Sequence, residues 1–233
     1  MKHFTLPALK KSKFIQQDMG ANWDQRFKDT FIWNESTFQG RRYVCHPDST
    51  QTVDQLTYSK QATRTGFGFR KYFDESFSGN LRNDYGGNIP IIRYAEVLLS
   101  YLEAELEAGN GITQELLDQT INLVRGRESV NLPPITETNP NVLREILRRE
   151  RRIELAFEGT RLWDIFRWEI GNEVLNGDFW GAPFPDSERY PTTSIKLDPQ
   201  SRWYVTTKNF RPGIDDQWPI PESETNINPN LAE

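Results

Sequence analysis

At 233 residues and 27.2 kDa, the chain is long enough to bury a hydrophobic core without a disulfide or metal staple. An aromatic content of 12%, with seven Trp, excludes a disordered chain despite a mean hydropathy of -0.71. The net charge of -5 argues against nucleic acid or an anionic membrane as partner; the single cysteine excludes an internal disulfide, and two His with one Cys are too few for zinc.

Three textures follow one another. Residues 1–89 mix aromatic, Gly and polar residues without sustained periodicity. The lysines Lys10, Lys11 and Lys13 are not followed by the apolar run of a signal peptide, and no stretch approaches the roughly 18 apolar residues of a membrane span. As written, the chain suits either a cytoplasmic protein or a piece of a longer exported one. Trp23, Phe27, Phe31, Trp33, Phe38 and Tyr43 crowd this zone, with Asn22, Asn34, Arg41 and Arg42 among them. Aromatic rings can cover the apolar face of a sugar while amides and guanidiniums take its hydroxyls. Trp33, Asn34, Phe38, Arg42 and Tyr43 are therefore the expected glycan contacts, with Trp23 behind them. The competing expectation is that these rings are core, where large aromatics usually lie. Cys45 and His46 are adjacent, with no third group to complete a nucleophilic site, so a plain thiol is expected.

Residues 90–171 carry helical periodicity. Pro90 suits a first helical turn, and Tyr94, Val97, Leu98, Tyr101, Leu102 and Leu106 form an apolar stripe that Gly109 stops. Thr113 can cap a second helix carrying Leu116, Leu117, Thr120, Ile121 and Val124. Asn139-Pro140 restarts helix, with Leu143, Ile146, Leu147, Ile153 and Phe157 as its stripe, broken at Gly159 and Thr160. A shorter helix around Leu162, Trp163, Ile165, Phe166 and Ile170 ends at Gly171. Two helix pairs in succession are repeat-like, with no close sequence echo between them.

The densest charge run lies here. Glu150, Glu154 and Glu158 recur every four residues, and Arg144, Arg148 and Arg152 form a row beside them. A di-metal bundle would need histidine three residues after a glutamate, where this chain has Ile153, Phe157 and Arg161. The expectation is a structural ion-pair network of arginine forks on carboxylates. Trp163 and Trp168, on a helix, are expected in the core, or half-buried against the arginines as cation–π partners. Residues 172–233 hold eight of the fourteen prolines, a spacing that forbids long helices and predicts extended segments and turns. No phosphate loop, HExxH or GxSxG elbow occurs, and no cofactor is implied.

Several motifs together resemble one family. The stretch 93–99, RYAEVLL, is similar to a helix of the SusD/RagB family, and INLVRGR at 121–127 resembles its "IN.vR.R" segment. RRERRIELAFEGTRLWD at 148–164, continued by Arg167-Trp168, resembles its "RRERRIELAFEG.R..D" block. Trp218-Pro219-Ile220-Pro221 with Ile227-Asn228-Pro229-Asn230 resembles its closing stretch; Asp24-Gln25-Arg26-Phe27 with Thr30, and Arg70-Lys71-Tyr72, resemble upstream segments. The order is that of the family.

The resemblance implies a mainly α fold of tetratricopeptide-like hairpins with a loop-rich, proline-rich remainder. It also implies one domain over 1–233, matching the family's C-terminal portion without its signal peptide and lipid-bearing cysteine. It implies a non-catalytic, outer-membrane, cell-surface protein of Bacteroidetes-type bacteria. Such a protein captures oligosaccharide and passes it to a SusC-like TonB-dependent transporter. The alternatives are a scaffold that only grips the transporter, or a glycoside hydrolase. A hydrolase needs two carboxyl groups flanking a cleft, whereas Glu150, Glu154 and Glu158 lie amid arginines, which lower carboxyl pKa.

Overall fold

Leucine spacing and caps set the helical part. The computed structural model describes residues 24–49, 52–56, 62–79, 85–190, 196–217, 220–228 and 230. Helix α2 (Tyr94–Glu107) ends at Ala108, followed by Gly109 at φ 74°, the left-handed geometry that glycine tolerates. The Thr113 side chain accepts from Leu116 N and starts α3 (Gln114–Gln119), and Asn139 caps α5 (Pro140–Glu154), with Pro140 in the first turn. Ala95, Leu98, Leu99, Leu102 and Leu106 of α2 pack with Leu117, Ile121 and Val124, and with Leu143 and Leu147 of α5.

Four expectations are corrected. The first helix starts at Tyr94, so Pro90 precedes it. Its predicted stripe is split: Leu98, Leu102 and Leu106 are buried, while Tyr94, Val97 and Tyr101 line an exposed face beside Ile91, itself 92% exposed. The second helix is broken at Thr120 (φ -126°, ψ -98°), whose hydroxyl turns back to Leu116 O, so that α4 (Ile121–Gly126) begins afresh. Finally, α5 stops at Glu154, so Phe157 leaves the helix, and α6 (Thr160–Arg167) is followed by a separate one-turn helix, α7 (Gly171–Val174).

The N-terminal part is built from short pieces. Helix α1 (Gln25–Thr30) is capped by Asp24, and β1 (Phe31–Ile32) pairs with β4 (Gly68–Phe69). Between them, β2 (Thr37–Phe38) pairs with β3 (Arg41–Arg42). The tail adds an antiparallel pair, β5 (Gly177–Pro183) with β6 (Arg202–Lys208), and a short helix, α8 (Glu222–Ile227). Strand β5 closes on the N-terminal loops: Ala182 N donates to Thr65 O at 2.7 Å, and a Cβ on Gly181 would meet that oxygen at 2.4 Å. Ala182 and Phe184 then complete a second core with Ile32, Tyr43 and Cys45. Helices thus dominate the middle of the chain, two-stranded sheets form within each end, and the second core joins the ends.

Candidate functional site

The acidic row of α5 faces inward onto cations drawn from elsewhere. Arg26 of α1 reaches Glu150, and also Glu154 at 3.2 Å. Arg125 of α4 donates to Glu150 at 2.8 Å, and Arg127 grips Glu154 with both Nη atoms, at 2.8 and 2.9 Å. Arg93, just before α2, bridges Glu154 and Glu158 at 3.0 and 2.7 Å. Lys71 donates to Glu158 and to the carbonyls of Glu154 and Ala156, closing the C-terminus of α5. Burial alone would raise the Glu154 carboxyl, but Arg127, Arg93 and Arg26 together hold it below the ordinary range. Glu158 is likewise lowered: Arg93 and Lys71 outweigh its burial. Burial pushes the Lys71 ammonium down, against the pull of Glu158.

The predicted neighbours of that row go elsewhere. Arg144 pairs with Glu107 of α2 at 2.7 Å, Arg148 lies over the Trp168 ring at 4.9 Å, and Arg152 forms no ion pair among the described residues. The reason is geometric. Arg148 and Arg152 each stand two residues from a row glutamate, which on a helix points them away from it. A second knot holds α6 to α2 and α5: Arg151 pairs with Asp164 at 3.2 Å, Arg167 takes both oxygens of Glu103 at 2.6 Å, and Trp168 Nε1 donates to Glu103 at 2.7 Å.

The aromatic candidates separate. Trp23 lies outside the described residues. Tyr43 is buried in the second core, its hydroxyl pushed up to about 12 by burial. Asn34 is fully buried, and its Oδ1 accepts from Cys45 N and His46 N at 2.9 Å each, an anchor for the loop. Arg42 is exposed and pairs with Glu35. Trp33 and Phe38 are half-buried and stand at the two ends of a row of rings. Trp33 meets Phe27 (6.0 Å between centroids), Phe27 meets Phe31 (4.7 Å), and Phe31 meets Phe157 (5.4 Å). Phe157 meets Phe69 (4.7 Å), which meets Phe73 (5.6 Å), which meets Phe38 (6.0 Å).

Phe69 and Phe157, the middle of that row, are 39% and 56% exposed, and sequence reasoning missed both as surface. Phe157 sits at φ 64°, costly for an aromatic residue, and Gly159 follows at 79°. A non-glycine residue held in this region by its surroundings points to a functional reason. Polar groups flank the rings: Arg70 donates to Glu75 at 2.6 Å, and the Gln39 amide group donates to Phe77 O at 2.9 Å. Cys45 is fully buried, with Sγ donating to Gly66 O at 3.3 Å and its thiol pushed up to about 12 by burial, which suits an inert thiol. Among the described residues, no His, Cys and carboxylate group could hold a metal, and no helix is long and apolar enough to cross a membrane.

A model of the SusD family matches residues 7–233. The chain belongs to the SusD family. A crystal structure of a SusD-like carbohydrate-binding protein from Bacteroides fragilis is 49% identical and superimposes with a TM-score of 0.88 over 99% of this chain and 44% of that one. A second SusD-like protein of the same species is 27% identical, with a TM-score of 0.61, covering 88% of this chain and 37% of its own. SusD-like protein P2 of Formosa agariphila is 34% identical over 124 residues, 51% of this chain and 24% of that protein. This SusD-family chain therefore spans less than half the length of each of these relatives.

Proposed function

We propose that this chain is part of a non-catalytic glycan-capture protein whose sugar platform is the exposed ring row between Trp33 and Phe38. The observation that carries the reading is the pair Phe69–Phe157, two rings 4.7 Å apart, exposed on a backbone strained at Phe157. Rings of this kind cover the apolar face of a pyranose, and Arg42, Arg70 and Gln39 supply polar groups beside them. Family membership, and the carbohydrate binding described for the Bacteroides fragilis relative, support the same ligand class. The chain works as one domain whose helical hairpins are tetratricopeptide-like. It acts at the outer-membrane surface and delivers saccharide to a SusC-like TonB-dependent transporter. Binding without a covalent step agrees with Glu154 and Glu158, whose carboxyls the surrounding cations hold below the ordinary range against burial, the opposite of a raised-pKa general acid.

Trp33→Ala tests the platform. Titration against a glycan panel should show loss of binding, with circular dichroism showing that the fold is kept. Unchanged affinity for the same glycans removes Trp33 from the site. One observation favours a second reading, a scaffold that only grips the transporter. The face of Ile91, Tyr94, Val97 and Tyr101 is apolar and exposed. A blank glycan panel together with co-purification of a transporter would favour the scaffold.

A further inference from the structure

Arg148, Arg149, Arg152 and Arg161 line a cavity of about 220 Å³ beside the ring of Trp168. The first three lie on one face of α5, at positions i, i+1 and i+4, and Arg161 comes from the first turn of α6. None of the four forms an ion pair among the described residues. Glu145 and Glu173 at the rim leave two positive charges in excess, in a chain whose net charge is -5. Nε of Arg148, one of the lining residues, is buried without a hydrogen-bond partner, a donor that the protein does not use. Burial, and then the like charge of Arg152, hold the Arg161 guanidinium below its ordinary range. The wall is fixed: Trp168 Nε1 is tied to Glu103, and its ring is flanked by Arg148 at 4.9 Å and Arg167 at 4.7 Å. Unpaired guanidinium forks around a fixed wall are the geometry that grips carboxylate or sulfate oxygens.

We propose that this pocket binds an oxyanion substituent, carboxylate or sulfate, carried on a saccharide. The volume suits one such group and the adjoining ring atoms. The oxyanion preference stands on the arginines alone, whereas the saccharide carrier rests on the glycan-capture reading.

The test is isothermal titration of the 233-residue chain at fixed ionic strength with glucuronate, glucose 6-sulfate, inorganic sulfate and glucose. Glucuronate or glucose 6-sulfate should bind at least tenfold more tightly than glucose. Arg152→Gln and Arg161→Gln should each weaken that binding about tenfold, with circular dichroism unchanged. Arg152→Gln spares both Arg148 and the Trp168 wall, so it keeps the test intact even where loss of Arg161, 5.9 Å from the Trp168 ring centroid, disturbs that wall. Inorganic sulfate binding as tightly as the sugar sulfate means an adventitious ion only and overturns the saccharide ligand. Equal affinity for glucose, or no effect of either substitution, overturns the pocket. In that event, glycan binding lost in Trp33→Ala would still stand, so failure of this inference is distinguishable from failure of the glycan reading.

Discussion

Helix α5 presents two arginine clusters of opposite character. On its inward side, Glu150 and Glu154, with Glu158 just beyond the helix end, meet Arg26, Lys71, Arg93, Arg125 and Arg127 at hydrogen-bond distance. On its other side, Arg148, Arg149, Arg152 and Arg161 gather without a paired carboxylate. The first cluster joins α1, the Lys71 loop, the approach to α2 and the end of α4 to one helix. A buried charge is tolerated when every partner is present, and cations from so many segments fix how those segments meet. The second cluster is left uncompensated, which costs stability and is kept where a ligand repays it. Saturation of charge, more than the presence of arginine, separates structure from candidate function.

The largest break in this comparison is Glu154→Gln. It removes the charge shared by Arg26, Arg93 and Arg127; Arg26 keeps Asp24 and Glu150 and Arg93 keeps Glu158, whereas Arg127 is left without a carboxylate among the described residues. Loss of one partner in a buried network costs about 3–5 kcal/mol, so the urea midpoint should fall sharply. A loss below ~1 kcal/mol would mean that the seam is not a keystone.

Acid acts on the same seam. Glu154 and Glu158 have folded-state values below their unfolded ones, so their contribution is fully present above the ordinary glutamate range. It is lost as pH falls through the lowered values, starting just below about pH 5. Melting temperature should therefore be flat down to that point and then fall. Glu158→Gln should make the acid fall shallower, and an unchanged slope would show that Glu158 contributes nothing to it.

Arg127→Lys is a finer cut. The charge stays, but a point ammonium cannot span both oxygens of Glu154 as the fork does at 2.8 and 2.9 Å. One hydrogen bond lost from a half-exposed side chain costs about 1 kcal/mol. No measurable change in chemical denaturation would mean that charge alone, without fork geometry, holds Glu154.

The sequence made some of this arrangement legible and hid the rest for identifiable reasons. The caps at Thr113 and Asn139 and the stop at Gly109 were readable, because each is a local event of one or two residues. Glu150 and Glu154 were readable as one helix face. Their partners were not. Arg26 lies 124 residues from Glu150, and Lys71 lies 87 from Glu158, and periodicity reports on one element at a time. Phe157 continued the α5 stripe by spacing alone, and nothing in that spacing announced the reversal of φ that turns it outward. Asn34 and Tyr43 looked like Trp33 and Phe38 in composition. In short strands and loops no long alternation reveals which side chains face the core. The family resemblance covered what periodicity could not, because its motifs come from all five of the segments that the seam brings together.

The smallest effect is the most diagnostic. Arg152→Gln removes a cation that forms no ion pair among the described residues and whose like charge, together with burial, holds the Arg161 guanidinium below its ordinary range. If the second cluster were structural, this loss would destabilise the fold as Arg127→Lys does. If it is an oxyanion site, relieving the repulsion should leave stability unchanged or raise it, by no more than ~0.5 kcal/mol. Added sulfate should then separate the proteins. A ligand that binds only the folded form stabilises in proportion to the logarithm of its concentration, so the unsubstituted chain should gain melting temperature beyond that of Arg152→Gln at equal ionic strength. Equal gains in both would assign the effect to general salt exclusion and make the two sides of α5 alike.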